Sequence, residues 1–359
     1  MRFAKLVPTL LLVGFVVMAC GGTNNPGTTA TKKIALLLPE SKTARYESKD
    51  RPFFTAKLKS LGFNTDADLI YSNANQDAPT QQTQAEAALT NGASVLVLDP
   101  VDGAAAAAIV AKAKAKNVPV ISYDRLILGT ADLNYYLSFD NAAVGALQGT
   151  ALLTALNGKA SARVVEINGD PADNNAKLFK QGAHSILDGK VSIVAEYDTP
   201  SWSPDKAQTE MQGAITAKGK NIDGVLAAND GTAGGAIAAM KAAGITPLPP
   251  ITGQDAELAA IQRILSGEQY MTVYKALKAE AEAAATLAYD LATGAAVPSS
   301  MTNGKTTNNG ASDIKSVLLT PVAVTKANIK DTVVADGFWT KADICTATFA
   351  AACTTAGIS

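Results

Sequence analysis

The chain of 359 residues has one histidine, three cysteines and no excess of basic residues. One histidine excludes a histidine-rich metal site, and three cysteines without a C-x-x-C pair exclude a cysteine-rich zinc site. Because 31 lysines and arginines face 32 aspartates and glutamates, no positive field is available to neutralise phosphates, which argues against a nucleic-acid partner. We expect no metal site, no cofactor and no binding to nucleic acid.

Enzyme signatures are also missing. The sequence holds no G-x-S-x-G or H-E-x-x-H pattern, and no G-x-G-x-x-G follows its first predicted strand. Gly304-Lys305-Thr306 ends like a phosphate-binding loop, but Ser299 stands where that motif requires glycine. The lone His184 lies in a helical pattern with no serine or cysteine nucleophile to activate, so we interpret it as a surface residue. We therefore predict that the chain is not an enzyme.

The first 19 residues are typical of an export signal. Arg2 and Lys5 precede an almost uninterrupted apolar stretch over residues 6–19, which is too short for a comfortable membrane span. The stretch ends V-M-A-C at Cys20 and resembles a bacterial lipobox, in which the cysteine is lipidated and becomes the new N-terminus. A segment rich in glycine, threonine and asparagine follows, so residues 20–32 are predicted to be a flexible tether. The alternative is an ordinary signal peptide with a chance cysteine.

Export bears on the location of the protein and on its two remaining cysteines. We expect a lipid-anchored protein of the cell envelope, in the periplasm or on the outer face of the plasma membrane. Cys345 and Cys353 lie close together near the C-terminus, and disulfides persist in exported proteins. We predict a local disulfide between them; two reduced, buried thiols are the alternative.

The rest of the chain alternates short β-rich runs with helical patterns. A hydrophobic content of 47% and the length of 359 residues predict a globular protein of two domains. The predicted strands are 33–38, 66–72, 94–98, 118–122 and 135–139, then 163–167, 191–196, 224–227, 250–253 and 269–274, and finally 318–324. Because helical patterns separate most of these runs, the alternation predicts βαβ units and parallel sheets. We therefore predict an α/β protein with two doubly wound lobes.

Polar and aromatic residues recur just beyond the carboxyl ends of these strands, where open α/β sheets bind ligands. The set contains Arg45, Tyr46, Asp124, Arg125, Asp173, Asn174, Asn175, Trp202, Asn229, Asp230, Gln254, Asp255 and Lys275. Carboxylates, amides and cations of this kind engage vicinal hydroxyls, and aromatic rings cover the apolar faces of a sugar. The recurrence favours a polyhydroxylated ligand, although each residue alone is also a common turn or cap residue.

Several of these stretches carry a family resemblance. They are Y-D-R-L-I at 123–127, S-F-D-N at 138–141, D-N-N-A-K-L-F at 173–179, A-N-D-G-T-A-G-G-A-I at 228–237, T-G-Q-D-A-E-L-A-A-I at 252–261, T-V-Y-K at 272–275 and the segment 318–333. In order and over nearly the whole mature chain, they resemble the D-xylose-binding branch of the ribose/galactose-type periplasmic solute-binding proteins of bacterial ABC importers.

The resemblance implies the type I periplasmic-binding-protein fold, with two lobes joined by a three-segment hinge. The N-terminal lobe would comprise residues 33–139 plus 274–312, and the C-terminal lobe residues 140–273 plus 313–359. The hinge segments would lie near 139–141, near 272–275 and between 313 and 321.

The resemblance also implies roles for single residues. The sugar hydrogen-bonding positions are matched by Arg125, Asn174, Asn229, Asp255 and Lys275, with Asp124 and Arg45 beside them. Trp202 matches the stacking tryptophan of the second lobe. Tyr46 stands at the stacking position of the first lobe, where close relatives often have tryptophan, so an aromatic face is kept and a hydroxyl is added.

The implied function is capture of D-xylose by lobe closure and its delivery to the membrane subunits of an ABC permease, by a monomeric protein. The same role for ribose, arabinose, glucose or galactose is an alternative, as is sugar sensing for a chemoreceptor. A transcriptional regulator with the same core is disfavoured because the chain begins with an export signal and not with a basic helix-turn-helix. A carbohydrate-active enzyme using Asp124 and Asp255 is disfavoured because Arg125 and Lys275 would lower the carboxylate pKa values and leave a poor general acid.

Overall fold

A computed structural model describes Met1 and residues 32–358 of the chain. The predicted signal, the predicted lipidation site Cys20 and all but the last residue of the predicted tether lie outside the described residues. Among the helices of the described part, none is long and apolar enough to cross a membrane.

Twelve strands lie within residues 32–358: β1 (Lys33–Leu38), β2 (Leu69–Asn73), β3 (Ala93–Leu98), β4 (Val120–Tyr123), β5 (Tyr135–Phe139), β6 (Arg163–Asn168), β7 (Ser192–Asp198), β8 (Gly224–Ala227), β9 (Met271–Tyr274), β10 (Thr306–Asn308), β11 (Asp313–Leu319) and β12 (Val322–Thr325). The α-helices of the same range are α1 (Arg51–Ser60), α2 (Thr65–Asp68), α3 (Ala78–Thr90), α4 (Ala107–Ala115), α5 (Asn141–Leu156), α6 (Asn174–Leu187), α7 (Pro204–Lys218), α8 (Asp230–Ala242), α9 (Leu258–Ser266), α10 (Leu277–Thr293), α11 (Lys341–Ile344) and α12 (Ala350–Thr355). Two π-helical turns (Tyr46–Asp50 and Lys330–Val334) and two 3₁₀ turns (Pro200–Trp202 and Ser299–Met301) complete the list.

The first lobe is built on a seven-stranded sheet in the order β10-β11-β5-β4-β3-β1-β2, in which only β10 is antiparallel to its neighbour. Side chains alternate between the two faces of β1, so Ile34, Leu36 and Leu38 pack with α1 and α10. Ala35 and Leu37 point to the other face and pack with α3 and α4. Helices on both faces explain why β1 is apolar along its whole length.

The second lobe is centred on the parallel strands β7-β6-β8, with α5 and α6 on one face and α7 and α8 on the other. Residues 250–253, predicted to be a strand, are an extended segment with a single β-bridge at Ile251. This segment joins β8 to the antiparallel pair β9–β12, because the N–H of Val225 donates to Pro250 O at 3.0 Å and the N–H of Val273 donates to Gly253 O at 3.0 Å.

The end of the chain differs from the sequence prediction. The predicted strand 318–324 is two strands, β11 and β12, and Pro321, which has no N–H to donate to a ladder, lies between them. Leu318 of β11 pairs in parallel with Ser138 of β5, which places residues 313–319 in the first sheet. The predicted lobe boundary at residue 313 is therefore wrong, and this crossing lies after Leu319. The other two crossings follow β5 and β9.

The C-terminal segment, residues 326–358, packs on the second lobe. Its buried residues contact α9 and β9, and Cys345 and Cys353 form a disulfide in it, as predicted. Lys49 reaches this segment from the first lobe: its Nζ donates to Phe338 O at 2.6 Å and lies 3.7 Å from the ring centroid of Trp339. The C-terminal segment therefore contacts both lobes.

Candidate functional site

A cavity lies between the lobes, beyond the carboxyl ends of strands from both sheets. Its empty volume of about 260 Å³ includes space that is open to solvent. The lining residues are all buried: Thr43, Arg45, Tyr46, Asp124, Arg125, Asp173, Asn175, Phe179, Trp202, Asn229, Gln254, Asp255 and Lys275.

Eight of the nine residues predicted to bind the ligand line this cavity, and Asn174 does not. Its place is taken by Asn175. Asp173 caps α6 by accepting the N–H of Asn175 at 2.8 Å, so Asn175 begins the buried side of the helix while Asn174 is rotated about 100° away. The Nδ2 of Asn175 donates to Asp124 O at 3.0 Å, and its Oδ1 accepts from Asn141 at 2.9 Å.

Arg45 is fixed by carboxylates that lie outside the cavity. Its Nε and Nη2 donate to Asp50 at 2.9 and 2.7 Å, and Nη2 also donates to Glu280 of α10 at 2.7 Å. The remaining Nη1 makes no hydrogen bond within the described residues, although Asp124 Oδ1 lies 3.3 Å away. A guanidinium held on two sides and open on the third is a preorganised donor for a ligand.

Tyr46 is held by its hydroxyl and has two cations near its ring. The hydroxyl donates to Asp124 Oδ2 at 3.0 Å and accepts from Arg125 Nη2 at 3.2 Å. The guanidinium carbons of Arg45 and Arg125 lie 5.1 and 5.6 Å from the ring centroid. Because its polar end is satisfied by protein groups, Tyr46 offers the cavity an aromatic surface in a fixed orientation.

Asp255 and Lys275 form an ion pair next to a crossing between the lobes. The Nζ of Lys275 lies 3.1 Å from Asp255 Oδ1 and 3.9 Å from Asp124 Oδ1. Asp255 has φ of 91°, a conformation that costs roughly 1–3 kcal/mol in a residue other than glycine. Its N–H donates to Val273 O at 2.9 Å, which helps to hold the carboxylate at the cavity.

Trp202 closes the cavity from the second lobe. Its backbone has φ of 52°, its Nε1 donates to Asp173 Oδ2 at 3.1 Å, and its ring meets the ring of Phe179 edge-on with centroids 6.3 Å apart. The indole lies directly on Gly169: a Cβ at that position would be 2.0 Å from a ring carbon. The position of the indole therefore requires glycine at residue 169.

Asn229 and Gln254 present amide groups to the cavity. The Oδ1 of Asn229 accepts the N–H of Thr232 at 2.8 Å, and the Thr232 hydroxyl accepts the N–H of Asn229 at 3.2 Å, a capping box at the start of α8. Because the cap uses the Asn229 oxygen, its amide nitrogen is the group left for a ligand. The Oε1 of Gln254 is buried and has no hydrogen-bond partner among the described residues, which indicates a position for a bound donor.

The cations of the site determine the charge of its central carboxylate. Burial alone would raise the pKa of Asp124, but Arg45, Lys275 and Arg125 outweigh it and lower that pKa to about 2. Burial, only partly offset by Arg45, raises the pKa of Glu280. Asp124 is therefore an ionised acceptor at neutral pH, which suits a ligand rich in hydroxyl donors.

Five lining residues were not predicted to bind the ligand: Thr43, Asp173, Asn175, Phe179 and Gln254. The strand-end set contains Asp173, Asn175 and Gln254, but the predicted ligand-binding residues were their neighbours Asn174 and Asp255. Phe179 lies four residues after Asn175, so helical spacing alone places both on one face of α6. No local signal marks Thr43.

A family model for the periplasmic binding protein domain matches residues 34–296. The chain belongs to this family. It is 40% identical over 317 residues to the D-xylose-binding periplasmic protein of Escherichia coli (strain K12), which covers 87% of this chain and 92% of that protein. It is 32% identical over 330 residues to the multiple sugar-binding periplasmic receptor of Rhizobium radiobacter, over 86% of this chain and 91% of the receptor.

The solved structures agree with this assignment. An ABC transporter solute-binding protein from Clostridium phytofermentans, with bound β-D-glucose, superposes with a TM-score of 0.79 at 30% identity and covers 87% of this chain and 100% of that one. The predicted family and the predicted type I periplasmic-binding-protein fold are confirmed. Family membership also confirms the prediction that the chain is not an enzyme.

Proposed function

We propose that this protein captures a monosaccharide, D-xylose, in the cavity between its lobes and delivers it to the membrane subunits of an ABC permease. One observation carries the proposal: both lobes contribute polar and aromatic groups to a single buried cavity. Tyr46 and Arg125 come from the first lobe, and Trp202 and Asp255 from the second. The set combines two aromatic surfaces with fixed donors and an ionised acceptor, as recognition of a sugar ring requires.

The choice of D-xylose is supported by the named relatives, and the first-lobe aromatic residue is compatible with it. Two D-xylose-binding periplasmic proteins are 40% and 39% identical to this chain. The hydroxyl that distinguishes Tyr46 from tryptophan is bonded to Asp124 and Arg125, so it adds no unsatisfied group to the cavity. The expected alternatives are other aldopentoses and the hexoses glucose and galactose.

Buried lining residues imply that the lobes must separate before a ligand enters. Contacts across the cleft hold the present arrangement: the N–H of Gly103 donates to Ala172 O at 3.3 Å, and Gln76 Nε2 donates to Asp170 Oδ2 at 3.1 Å. A sugar that contacts both lobes binds this arrangement better than an open one, and that difference in affinity drives closure. Closure is the signal that we expect a permease to read.

Attachment to the membrane is proposed through Cys20, which precedes the described fold. Lipidation at Cys20 would leave the binding lobes free on the polar segment that follows. The Cys20→Ser protein is expected in the soluble envelope fraction and without the lipid mass, whereas the parent chain stays with the membrane. Equal partition of the two proteins would exclude the anchor.

Isothermal titration of the tag-free protein against D-xylose, D-ribose, L-arabinose, D-glucose and D-galactose tests the function. D-xylose is expected to bind most tightly, and Trp202→Ala is expected to abolish measurable binding. The control is Phe63→Ala, which removes a half-buried aromatic ring of the first lobe that lies outside the cavity. Absence of binding to every sugar of the panel would overturn the proposal, and tighter binding of another sugar would correct the ligand.

Solution scattering tests the closure step separately. The radius of gyration is expected to fall when saturating sugar is added. Equal radii in the two samples, with binding confirmed by calorimetry, would contradict a clamp mechanism.

A further inference from the structure

A second cluster of polar side chains lies in the second lobe, outside the cavity. Glu166 of β6 and Glu196 of β7 are paired in register on neighbouring parallel strands, so their carboxylates lie side by side on one face of the sheet. Helix α6 places His184 over this pair. Its Nε2 lies 3.2 Å from Glu166 Oε2 and 3.6 Å from Glu196 Oε2, and the three ligand atoms lie within 4.8 Å of one another.

The surroundings of the pair are strongly acidic. Lys180 and His184 of α6 and Asp188, the residue that follows the helix, are spaced by four residues and therefore lie on one side of it. Asp188 Oδ1 lies 2.8 Å from His184 Nδ1, while Lys180 contacts Glu196 and lies 3.2 Å from Asp198 Oδ1. Four carboxylates thus surround one lysine and one imidazole. The cluster therefore carries a net negative charge that a divalent cation would neutralise.

The environment of Glu166 is the observation that indicates a bound ligand. Glu166 is fully buried; the side chain of Asn168 lies nearby, but neither carboxylate oxygen accepts a well-aligned hydrogen bond from a described residue. A buried carboxylate without such partners is costly unless a cation coordinates it. His184 Nε2 faces it at 3.2 Å but is not aligned for a hydrogen bond, so a proton on Nε2 does not satisfy Glu166.

The separations match those of atoms that share a metal ion. Bonds of 2.0–2.1 Å to a tetrahedral zinc ion place neighbouring ligand atoms about 3.4 Å apart, and the distances of 3.2 and 3.6 Å lie on either side of this value. Asp188 on the other ring nitrogen completes the carboxylate–histidine arrangement that orients metal-binding imidazoles.

We propose that Glu166, His184 and Glu196 bind a divalent transition-metal ion, Zn²⁺ by the chemistry of one imidazole and two carboxylates. Asp188 orients the imidazole, and Lys180 competes with the metal for Glu196 while keeping Asp198 as an alternative partner. This assignment departs from the expectation of no metal site, and it places the metal at the surface of the lobe, where the His184 side chain is 26% exposed. It does not depend on the identity of the sugar.

Calorimetric titration of metal-stripped, tag-free protein with ZnCl₂ tests the site. One Zn²⁺ per chain is expected to bind. His184→Gln is expected to lower the affinity at least 100-fold, and Asp188→Asn roughly 10–100-fold, as for other partners of metal-bound histidines. Lys180→Gln is expected to raise the affinity several-fold because it removes the competing cation, while the exposed Lys190→Gln serves as the unchanged control.

Two further measurements keep the result interpretable. Circular dichroism and sugar titration show whether each variant is folded, and neither is expected to change, since His184 lies outside the cavity. Because the chain has one histidine, a zinc-induced shift of the imidazole ¹⁵N signals reports on His184 alone. Zinc binding that His184→Gln leaves unchanged, or no saturable binding by the parent protein, overturns the proposal.

Discussion

Replacing Gly169 by alanine tests the position of the indole without altering any group that would bind the sugar. The backbone of Gly169 is one that alanine can adopt, so the new methyl group acts only by its volume. Its carbon would lie 2.0, 2.3 and 2.5 Å from three ring carbons of Trp202. Restoring an ordinary contact of ~3.5 Å requires the ring to move by about 1.5 Å.

Such a shift breaks the 3.1 Å hydrogen bond from Trp202 Nε1 to Asp173 and tilts the stacking surface. Losing the ring contact accounts for roughly 0.5–1.5 kcal/mol and losing the hydrogen bond for a similar amount. We therefore expect the sugar affinity of Gly169→Ala to fall by about 2 kcal/mol, or roughly 30-fold. Overpacking should also lower the free energy of unfolding by roughly 1–3 kcal/mol.

Titration calorimetry measures the affinity, and urea unfolding measures the stability. The matched control is Gly213→Ala in α7 of the same lobe, where the nearest atom to an added Cβ is the Tyr197 hydroxyl at 3.7 Å. This control should bind sugar normally and be slightly more stable, because alanine is the better helix former. Unchanged affinity and tryptophan emission in Gly169→Ala would refute the proposed packing of Trp202.

Three other substitutions address the charges and the C-terminal segment. Asp255→Asn should weaken sugar binding at least tenfold in calorimetry, because Lys275 keeps its charge but loses its carboxylate at 3.1 Å; binding within twofold of the parent would remove Asp255 from the site. Since the pKa of Asp124 is about 2 in the folded protein against an ordinary value of 3.8, its ionised form contributes about 2 kcal/mol of stability that is present above pH ~4 and lost as the pH falls towards 2. Acid titration of the unfolding free energy should show this loss in the parent and not in Asp124→Asn, and parallel curves would contradict the role of the cations. The double change of Cys345 and Cys353 to serine should lower the free energy of unfolding by roughly 2–3 kcal/mol, as closure of a short loop predicts, with sugar affinity unchanged.

Local signals explain which elements the sequence predicted well. The N-termini of α5 and α6 carry local signals, because Asp140 and Asp173 accept backbone N–H groups there. The assignment of β11 failed because its partner, β5, lies far away along the chain. An apolar run shows that a strand exists but not which sheet it joins, so the lobe boundary at residue 313 was misplaced.

In the site, too, local signals were predictable from the sequence and long-range contacts were not. Strand ends and family motifs identified eight lining residues, since each follows a strand whose position was readable. Asn174 was predicted to line the cavity in place of its neighbour Asn175. A shift of one residue decides which side of a helix is buried, and the sequence pattern does not resolve it. The sequence also does not predict the partners of Arg45. Glu280 is 235 residues away in sequence, and only folding brings its carboxylate to 2.7 Å from the guanidinium.

The contact of Lys49 with Phe338 and Trp339 has a consequence for affinity. It joins the lobes at a point that no sugar touches, so it stabilises the closed arrangement whether or not a ligand is present. The fraction of molecules that is already closed scales the apparent dissociation constant. Changes at Lys49 or Trp339 would therefore alter the concentration of sugar at which the protein responds, while the pocket and its selectivity among sugars stay the same.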